Sequence, residues 1–128
     1  PGDFAQAYVL AHEAGHHVQN LTGTLESTPF TGNANERSVR VELQADCFAG
    51  VWARYAAEQF GSLEPGDIQE AVDAAARIGD DTLQRNAGQR PMPDSFTHGS
   101  SEQRQHWLAT GYEAGSIRAC DTFSAANL

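Results

Sequence analysis

Two histidines one helical turn apart are the first residues of this sequence that indicate a chemistry. His12 and His16 belong to a His-Glu-x-x-His pattern. Residues four apart on a helix project from the same face, so two neutral imidazoles at this spacing can bind one zinc ion. Glu13 lies about 100° round the helix from His12, where its carboxylate can hydrogen-bond a water on the open side of the metal. The pattern therefore predicts a catalytic zinc site.

An acidic pair further along the chain supplies candidates for the rest of the site. Glu42 and Asp46 are four residues apart in a segment that is apolar on nearly every side, which predicts a buried helix. A buried carboxylate needs a compensating partner. A catalytic zinc takes three protein ligands and keeps a fourth position for water, so we predict one Zn²⁺ ion bound by His12, His16 and Glu42. Asp46 is predicted to accept the other ring N–H of His12, or less readily that of His16, and to fix its tautomer.

Other residues remain alternatives for these roles. Asp46 could bind the metal in place of Glu42, although the longer glutamate side chain reaches a metal more readily from a helix. His98 or His106 could supply a third nitrogen, although His106 suits a packing or surface position in a predicted helix. His17 points about 100° away from the preceding histidine, which favours a position outside the ligand set.

The first predicted helix, which carries the two histidines, runs from Asp3 to Leu21 or Thr22 and stops at Gly23. Its apolar residues recur at three- and four-residue steps and form one face. We expect that face to contact the core, and the opposite, polar face to line the site. The apolar residues are Ala7, Leu10, Ala11, Ala14, Val18 and Leu21, and the polar face carries His12, His16 and Gln19.

Three further helices are predicted downstream of a loop at 23–35. The second spans 36–60 and is capped by Asn35, and the third spans 66–85. After a second loop, Ser100 begins the fourth helix, with Gln103 as its capping-box partner. No internal repeat and no convincing strand is present, so the predicted fold class is mainly α, a helical bundle in one domain.

Composition and charge exclude several classes of function. The chain has 128 residues, which suits a single domain with one modest core. Its formal net charge is -9 and it contains no lysine, which argues against binding to nucleic acid or to an anionic membrane surface. No apolar stretch reaches the length of a transmembrane helix.

The two cysteines, Cys47 and Cys120, leave two possibilities open. They could form a disulfide in an oxidising compartment, which would close a long loop and contribute roughly 4 kcal/mol. Alternatively, Cys47 is a small core residue of the second helix and Cys120 is an unpaired thiol. Two cysteines are too few for a cysteine-rich structural zinc site.

Three motifs together resemble the bacterial neutral zinc metallopeptidase family and, more widely, the gluzincin group to which thermolysin belongs. The resemblance covers essentially the whole chain. It implies zinc ligands His12, His16 and Glu42, the catalytic base Glu13, and the orienting carboxylate Asp46. The motifs are Tyr8–Asn20, Val41–Trp52 and Phe96–Arg104, and the ending Cys120–Phe123 also fits.

The resemblance also implies parts of the protein that precede this segment. Gluzincin domains usually have a small β-sheet before the active-site helix, and members of the family begin with a membrane-anchoring segment and a polar linker. We therefore expect this chain to be the helical part of a zinc metallopeptidase domain, a fragment lacking the anchor, linker and sheet. The full-length protein is expected to be extracytoplasmic and membrane-anchored, with no direct membrane contact from this segment.

The function that follows is hydrolysis of peptide bonds in a peptide or protein substrate by a zinc-activated water, with Glu13 as general base. The developing oxyanion needs a further donor, for which we favour His98 over Tyr112 and Arg104. One rival is a non-catalytic zinc-stapled helical module, whose site would be closed by a fourth protein ligand such as His98. Another is a catalytically weak relic that binds peptides without cutting them.

Overall fold

A bundle of five helices makes up the computed structural model, which describes residues 3–24, 30, 32–61, 63–64 and 66–128. No strand occurs in these residues, so the predicted class, mainly α, is confirmed. Residues 25–29 and 31 of the predicted loop at 23–35 lie outside the described residues, and Ala34 and Asn35 at its end are already helical. The helices are α1 (Asp3–Thr22), α2 (Ala34–Phe60), α3 (Asp67–Arg77), α4 (Asp80–Asn86) and α5 (Ser101–Ala114), and short 3-10 turns lie at Pro93–Ser95 and Ile117–Cys120.

Helix α2 is the longest element, at 27 residues, and it packs against both α1 and α5. Its N-cap is Asn33, whose side chain accepts a hydrogen bond from the Glu36 N–H at 2.9 Å. The prediction that Asn35 caps this helix was wrong by two positions, because Asn33 has the extended backbone that a cap requires and Asn35 already lies inside the helix. Gly61 ends α2 in the left-handed conformation, with φ of 57°.

Helices α2 and α5 cross with their backbones in contact. A Cβ atom placed on Gly111 would lie only 1.9 Å from the carbonyl oxygen of Cys47. Any larger residue at this position would push the helices apart. The structure joins Cys47 to Cys120 through a disulfide that spans 73 positions of the chain. The C-terminal segment is thereby fastened to α2 in the core of the bundle.

The single helix predicted at 66–85 is interrupted in the structure. Helix α3 ends at Arg77 and α4 begins at Asp80, because Gly79 adopts an extended backbone with φ of −63° and ψ of 147°. The Asp80 N–H then donates to the carbonyl oxygen of Gly99 at 2.8 Å instead of continuing the helix. This break brings the start of α4 against the loop that precedes α5.

Helix α1 buries the opposite face from the one predicted. Leu10 and Leu21, expected in the core, are 72% and 73% exposed. The buried stripe consists of Ala5, Tyr8, His12, Gly15 and Gln19.

Polar partners on α2 explain this reversal. Gln19 is fully buried, and its amide donates to the carbonyl oxygen of Val41 and to the side-chain oxygen of Gln44, both at 2.9 Å. Buried polar groups are tolerated when they are hydrogen-bonded in this way. At Gly15 the missing side chain admits the backbone of Ala45, whose oxygen lies 3.0 Å from where a Cβ would stand. The polar stripe of α1 is therefore its contact surface with α2.

Candidate metal centre

The three residues predicted as zinc ligands lie together at the crossing of α1 and α2. The Nε2 atom of His12 is 3.1 Å from Oε1 of Glu42, and the Nε2 atom of His16 is 2.9 Å from Oε2 of the same carboxylate. One ligand atom from each residue falls within 4.8 Å of the other two. Two imidazole nitrogens and one carboxylate oxygen thus point at a common position between the helices.

The chemistry and hydrogen bonding of this donor set fit a zinc ion. Atoms that bind one zinc at about 2.0–2.2 Å lie roughly 3–4 Å apart, close to the separations found here. The Nδ1 atom of His12 is 2.7 Å from Oδ1 of Asp46, and that of His16 is 2.8 Å from Oε1 of Gln19. Each ring can therefore donate through Nδ1 and present the lone pair of Nε2, the arrangement that zinc-binding histidines usually have.

The electrostatics of the metal-free cluster show how strongly it attracts positive charge. Burial opposes protonation of His12, but hydrogen bonds with Asp46 and Glu42 outweigh it and raise the pKa of this imidazole from 6.5 to about 9. The hydrogen bond between His16 and Glu42 likewise raises the pKa of His16. Burial opposes ionisation of Glu42, but the two histidines hold the pKa of its carboxyl well below its usual range. The cluster therefore favours positive charge at its centre.

Zinc binding is expected to depend steeply on pH, because a ligating imidazole must first lose its proton. The pKa of His12 in the metal-free protein is about 9, so zinc must displace this proton at any lower pH. The apparent affinity should rise at least about tenfold per pH unit between pH 7 and 9, and more steeply where His16 is also protonated, and then level off. Competition with a chromophoric chelator measures this slope. A His17→Ala variant should show the same slope, and an affinity independent of pH would contradict the expectation.

The Asp46 carboxylate lies one helical turn beyond Glu42 and is fully buried. Besides His12 Nδ1, its Oδ1 atom accepts the Tyr8 hydroxyl at 2.6 Å, and Oδ2 accepts Arg104 Nε at 2.8 Å. Burial opposes ionisation of Asp46, but the hydrogen bonds from His12 and Arg104 lower the pKa of its carboxyl. The Asp46–His12 contact has the geometry predicted from the sequence.

Sequence reasoning missed Tyr8 as a partner of Asp46 and gave Arg104 a different candidate role. The spacing of Tyr8, four residues before His12, is a signal that could have placed both side chains on one face of α1. No comparable signal existed for Arg104, which is 58 positions from Asp46 in the chain.

Glu13 is exposed and lines a cleft of about 280 Å³ beside the ligand cluster. The same cleft is bordered by the ligands His12 and Glu42 and by an aliphatic wall formed by Val9, Ile78 and Leu83. A larger cavity, of about 380 Å³, lies next to Asn33 and Phe96 and contains none of the ligand residues. The smaller cleft is therefore the one that adjoins both Glu13 and the ligand cluster.

His98 is placed at the rim of this cleft, with its side chain 53% exposed and its Nε2 atom 4.0 Å from Oε1 of Glu42. Its position depends on Asp80, because one carboxylate oxygen of Asp80 accepts the backbone N–H groups of Thr97, His98 and Gly99 at 2.7–2.9 Å. The break between α3 and α4 places Asp80 at the start of α4, where its side chain can accept these three hydrogen bonds.

The other candidates for an oxyanion donor or a third nitrogen are Arg104, which also lines the cleft, and Tyr112 and His106, which do not. Arg104 is buried against Asp46, Tyr112 packs against Arg54, and His106 is exposed beside Trp107. Among these candidates, His98 combines an exposed side chain with a position beside the ligand cluster, and its Nδ1 atom lies 2.9 Å from Thr97 Oγ1. Its role as a donor stays a prediction.

The described part of the chain thus combines a helical fold with a His₂Glu cluster of potential metal ligands and an exposed glutamate beside it. A family model described as "Putative neutral zinc metallopeptidase" matches residues 1–123. The chain belongs to this family, and the resemblance seen in the sequence is confirmed.

Relatives with curated sequences carry no assigned function. The chain is 52% identical over 128 residues to "Uncharacterized protein YpfJ" of Escherichia coli K12, covering 95% of this chain and 44% of that protein. It is 51% identical over 137 residues to "Uncharacterized protein Rv2575" of Mycobacterium tuberculosis H37Rv, covering 99% of this chain and 47% of the relative. The chain thus spans about half the length of these relatives. No solved structure matches it.

Proposed function

We propose that this domain is a zinc-dependent metallopeptidase that hydrolyses internal bonds of a peptide or protein substrate. The observation that carries this proposal is the convergence of His12, His16 and Glu42 on one position, with Glu13 outside that cluster and open to the adjoining cleft. When bound, zinc lowers the pKa of its water toward 7 and polarises the scissile carbonyl.

Glu13 acts as the proton carrier in this proposal. Its carboxylate is exposed at the cleft and adjoins the ligand His12 in sequence. It accepts the proton of the attacking water and then delivers it to the leaving amine.

His98 donates a hydrogen bond to the charge that develops on the substrate carbonyl oxygen. The ring sits at the edge of the cleft on a loop that Asp80 holds through three backbone N–H groups. A donor held in place before the reaction stabilises developing charge without reorganisation.

Replacing His98 with alanine should lower kcat by about 10²–10³-fold, the usual cost of losing one oxyanion donor. Zinc affinity should change less than about threefold, since His12, His16 and Glu42 remain in place. Steady-state kinetics on a peptide substrate and a chelator competition measure the two quantities separately. Exposed His106 provides the matched control, and His106→Ala should retain the parent kcat. A large loss of zinc affinity in His98→Ala would instead favour the closed structural site.

A non-catalytic zinc-stapled module is the second candidate function. It would require a fourth protein ligand, and the exposed ring of His98, 4.0 Å from Glu42, is the nearest candidate. The group of potential metal ligands within 4.8 Å of one another in the described residues does not include His98. The exposed Glu13 beside the cluster also has no purpose in a closed site, so the catalytic function is favoured.

Metal analysis combined with cleavage of a peptide library tests the proposal directly. The expected result is one zinc per chain and cleavage that a chelator abolishes and added zinc restores. Stoichiometric zinc without any cleavage would favour the structural module or the peptide-binding relic. The same assay on a protein as long as the relatives shows whether further parts of the chain are needed for activity.

We also propose an extracytoplasmic location for the full-length protein. The Cys47–Cys120 disulfide supports this location, because disulfides persist mainly in oxidising compartments. In the described part of the chain, no helix is both long and apolar enough to cross a bilayer. The membrane anchor expected from the family resemblance stays a prediction for the longer protein.

A further inference from the structure

Arg104 is a buried arginine with an unusually complete set of partners. Its side chain is only 4% exposed, and it reaches from α5 to both oxygens of Asp46, with Nε 2.8 Å from Oδ2 and Nη2 3.2 Å from Oδ1. Nη2 also lies 3.3 Å from the Tyr8 hydroxyl oxygen, and Nη1 lies 3.4 Å from the carbonyl oxygen of Ile78. The planar guanidinium therefore sets the plane in which the Asp46 carboxylate lies.

The Asp46 carboxylate joins this arginine to the metal ligands. Its Oδ1 atom accepts His12 Nδ1 at 2.7 Å and the Tyr8 hydroxyl at 2.6 Å, so donors from α1 and α5 meet on one side chain of α2. A fully buried carboxylate requires a compensating charge. Arg104 supplies a permanent positive charge. The imidazole of His12 is then left to donate one N–H to Asp46 and to bind a metal ion through its other nitrogen.

We propose that Arg104, assisted by Tyr8, is a positioning residue of the zinc site that acts through Asp46 on the orientation of the His12 ring. This inference rests on the zinc site of the proposed function. Arg104 makes no direct hydrogen bond to the predicted ligands among its described contacts, so its effect on the orientation of the His12 ring passes through the Asp46 carboxylate. The partners of histidine ligands typically contribute 10–100-fold to metal affinity.

Arg40 is a matched control for this role, because it is also an arginine that links distant parts of the chain. Its Nη1 atom donates to the carbonyl oxygens of Thr122 and Ala125, which fastens the C-terminal segment to α2. An arginine that only stabilises the fold should behave like Arg40. Arg40→Met should therefore lower resistance to urea and leave zinc affinity within about twofold of the parent.

A double-mutant cycle with Asp46 tests whether Arg104 acts through that residue. The full 128-residue chain is titrated with zinc against a chromophoric chelator, as parent, Arg104→Met, Asp46→Asn and the double variant. We expect Arg104→Met to weaken zinc binding about 10–100-fold in the parent background. In the Asp46→Asn background the same change should weaken it less than about twofold, because the carboxylate that transmits the effect is gone.

Several outcomes would overturn the inference. Unchanged zinc affinity in folded Arg104→Met does so, and so do losses that simply multiply in the double variant. If Arg104→Met does not fold, Tyr8→Phe decides, since it removes only the hydroxyl that donates to Asp46. We expect that variant to fold and to bind zinc several-fold more weakly, and parent-like binding would overturn the proposal. A parent protein that binds no zinc would instead reject the proposed function itself.

Discussion

Glu13→Gln is expected to retain one zinc per chain and to lose at least 10²–10⁴-fold in kcat, the usual contribution of a general base. The glutamine side chain has nearly the same shape and can still hydrogen-bond a water, but it cannot accept a proton. The ligand cluster of His12, His16 and Glu42 does not include Glu13, so the metal should stay bound. Metal analysis and steady-state cleavage of a peptide substrate on the same sample measure both results.

The control for this variant is another exposed glutamate on a helix. Glu113 lies near the end of α5, away from the cleft, and Glu113→Gln should cleave at the parent rate. Two outcomes would contradict the mechanism in different ways. Fast cleavage by zinc-loaded Glu13→Gln would exclude Glu13 as the general base. Loss of zinc from this variant would instead indicate that Glu13 is a metal ligand.

Glu42→Gln is expected to weaken zinc binding by about 10²–10³-fold. Both carboxylate oxygens of Glu42 face ligand nitrogens, with Oε1 3.1 Å from His12 Nε2 and Oε2 2.9 Å from His16 Nε2. Structural zinc sites bind with about 10–16 kcal/mol, or roughly 2.5–4 kcal/mol per ligand for four ligands. The glutamine substitution removes the negative charge that attracts the metal ion, while it preserves the shape of the side chain. Chelator competition gives the affinity.

A second glutamate on the same helix separates this effect from a general loss of negative charge. Glu58 is exposed near the end of α2 and pairs with Arg54 at 2.6 Å. Glu58→Gln should leave zinc affinity unchanged, because exposed ion pairs contribute little and are screened by salt. A change of less than threefold in Glu42→Gln would exclude Glu42 as a ligand, and Asp46 would then have to be tested in its place.

Local patterns predicted several helix ends whose signal is contained in a few neighbouring residues, although the N-cap of α2 was placed at Asn35 instead of Asn33. Ser100 and Gln103 form the predicted capping box, and Gly115 ends α5 in the left-handed conformation. The spacing of the two histidines and of Glu42 with Asp46 also predicted which side chains could face one another. Helical periodicity determines direction round a helix, so this part of the site was readable from the sequence.

Features that depend on distant contacts were not readable in this way. The periodic apolar residues of α1 predicted the wrong buried face, because the polar residue Gln19 satisfies its hydrogen bonds on α2 while Leu10 stays exposed. The break at Gly79 lies inside a helical pattern and is supported by the contact of Asp80 with Gly99. Neither contact leaves a trace in the local sequence.

The ligand cluster at the crossing of α1 and α2 has a thermodynamic consequence for the whole chain. His12 and Glu42 are 30 positions apart, so the three donors meet only when the chain is folded. An ion that binds the native state alone stabilises it by RT ln(1 + [L]/Kd), or about 1.4 kcal/mol for each tenfold increase in free zinc above the dissociation constant. If the proposed zinc site is correct, the concentration of free zinc around the protein sets the fraction of the domain that is folded as well as the fraction that carries metal.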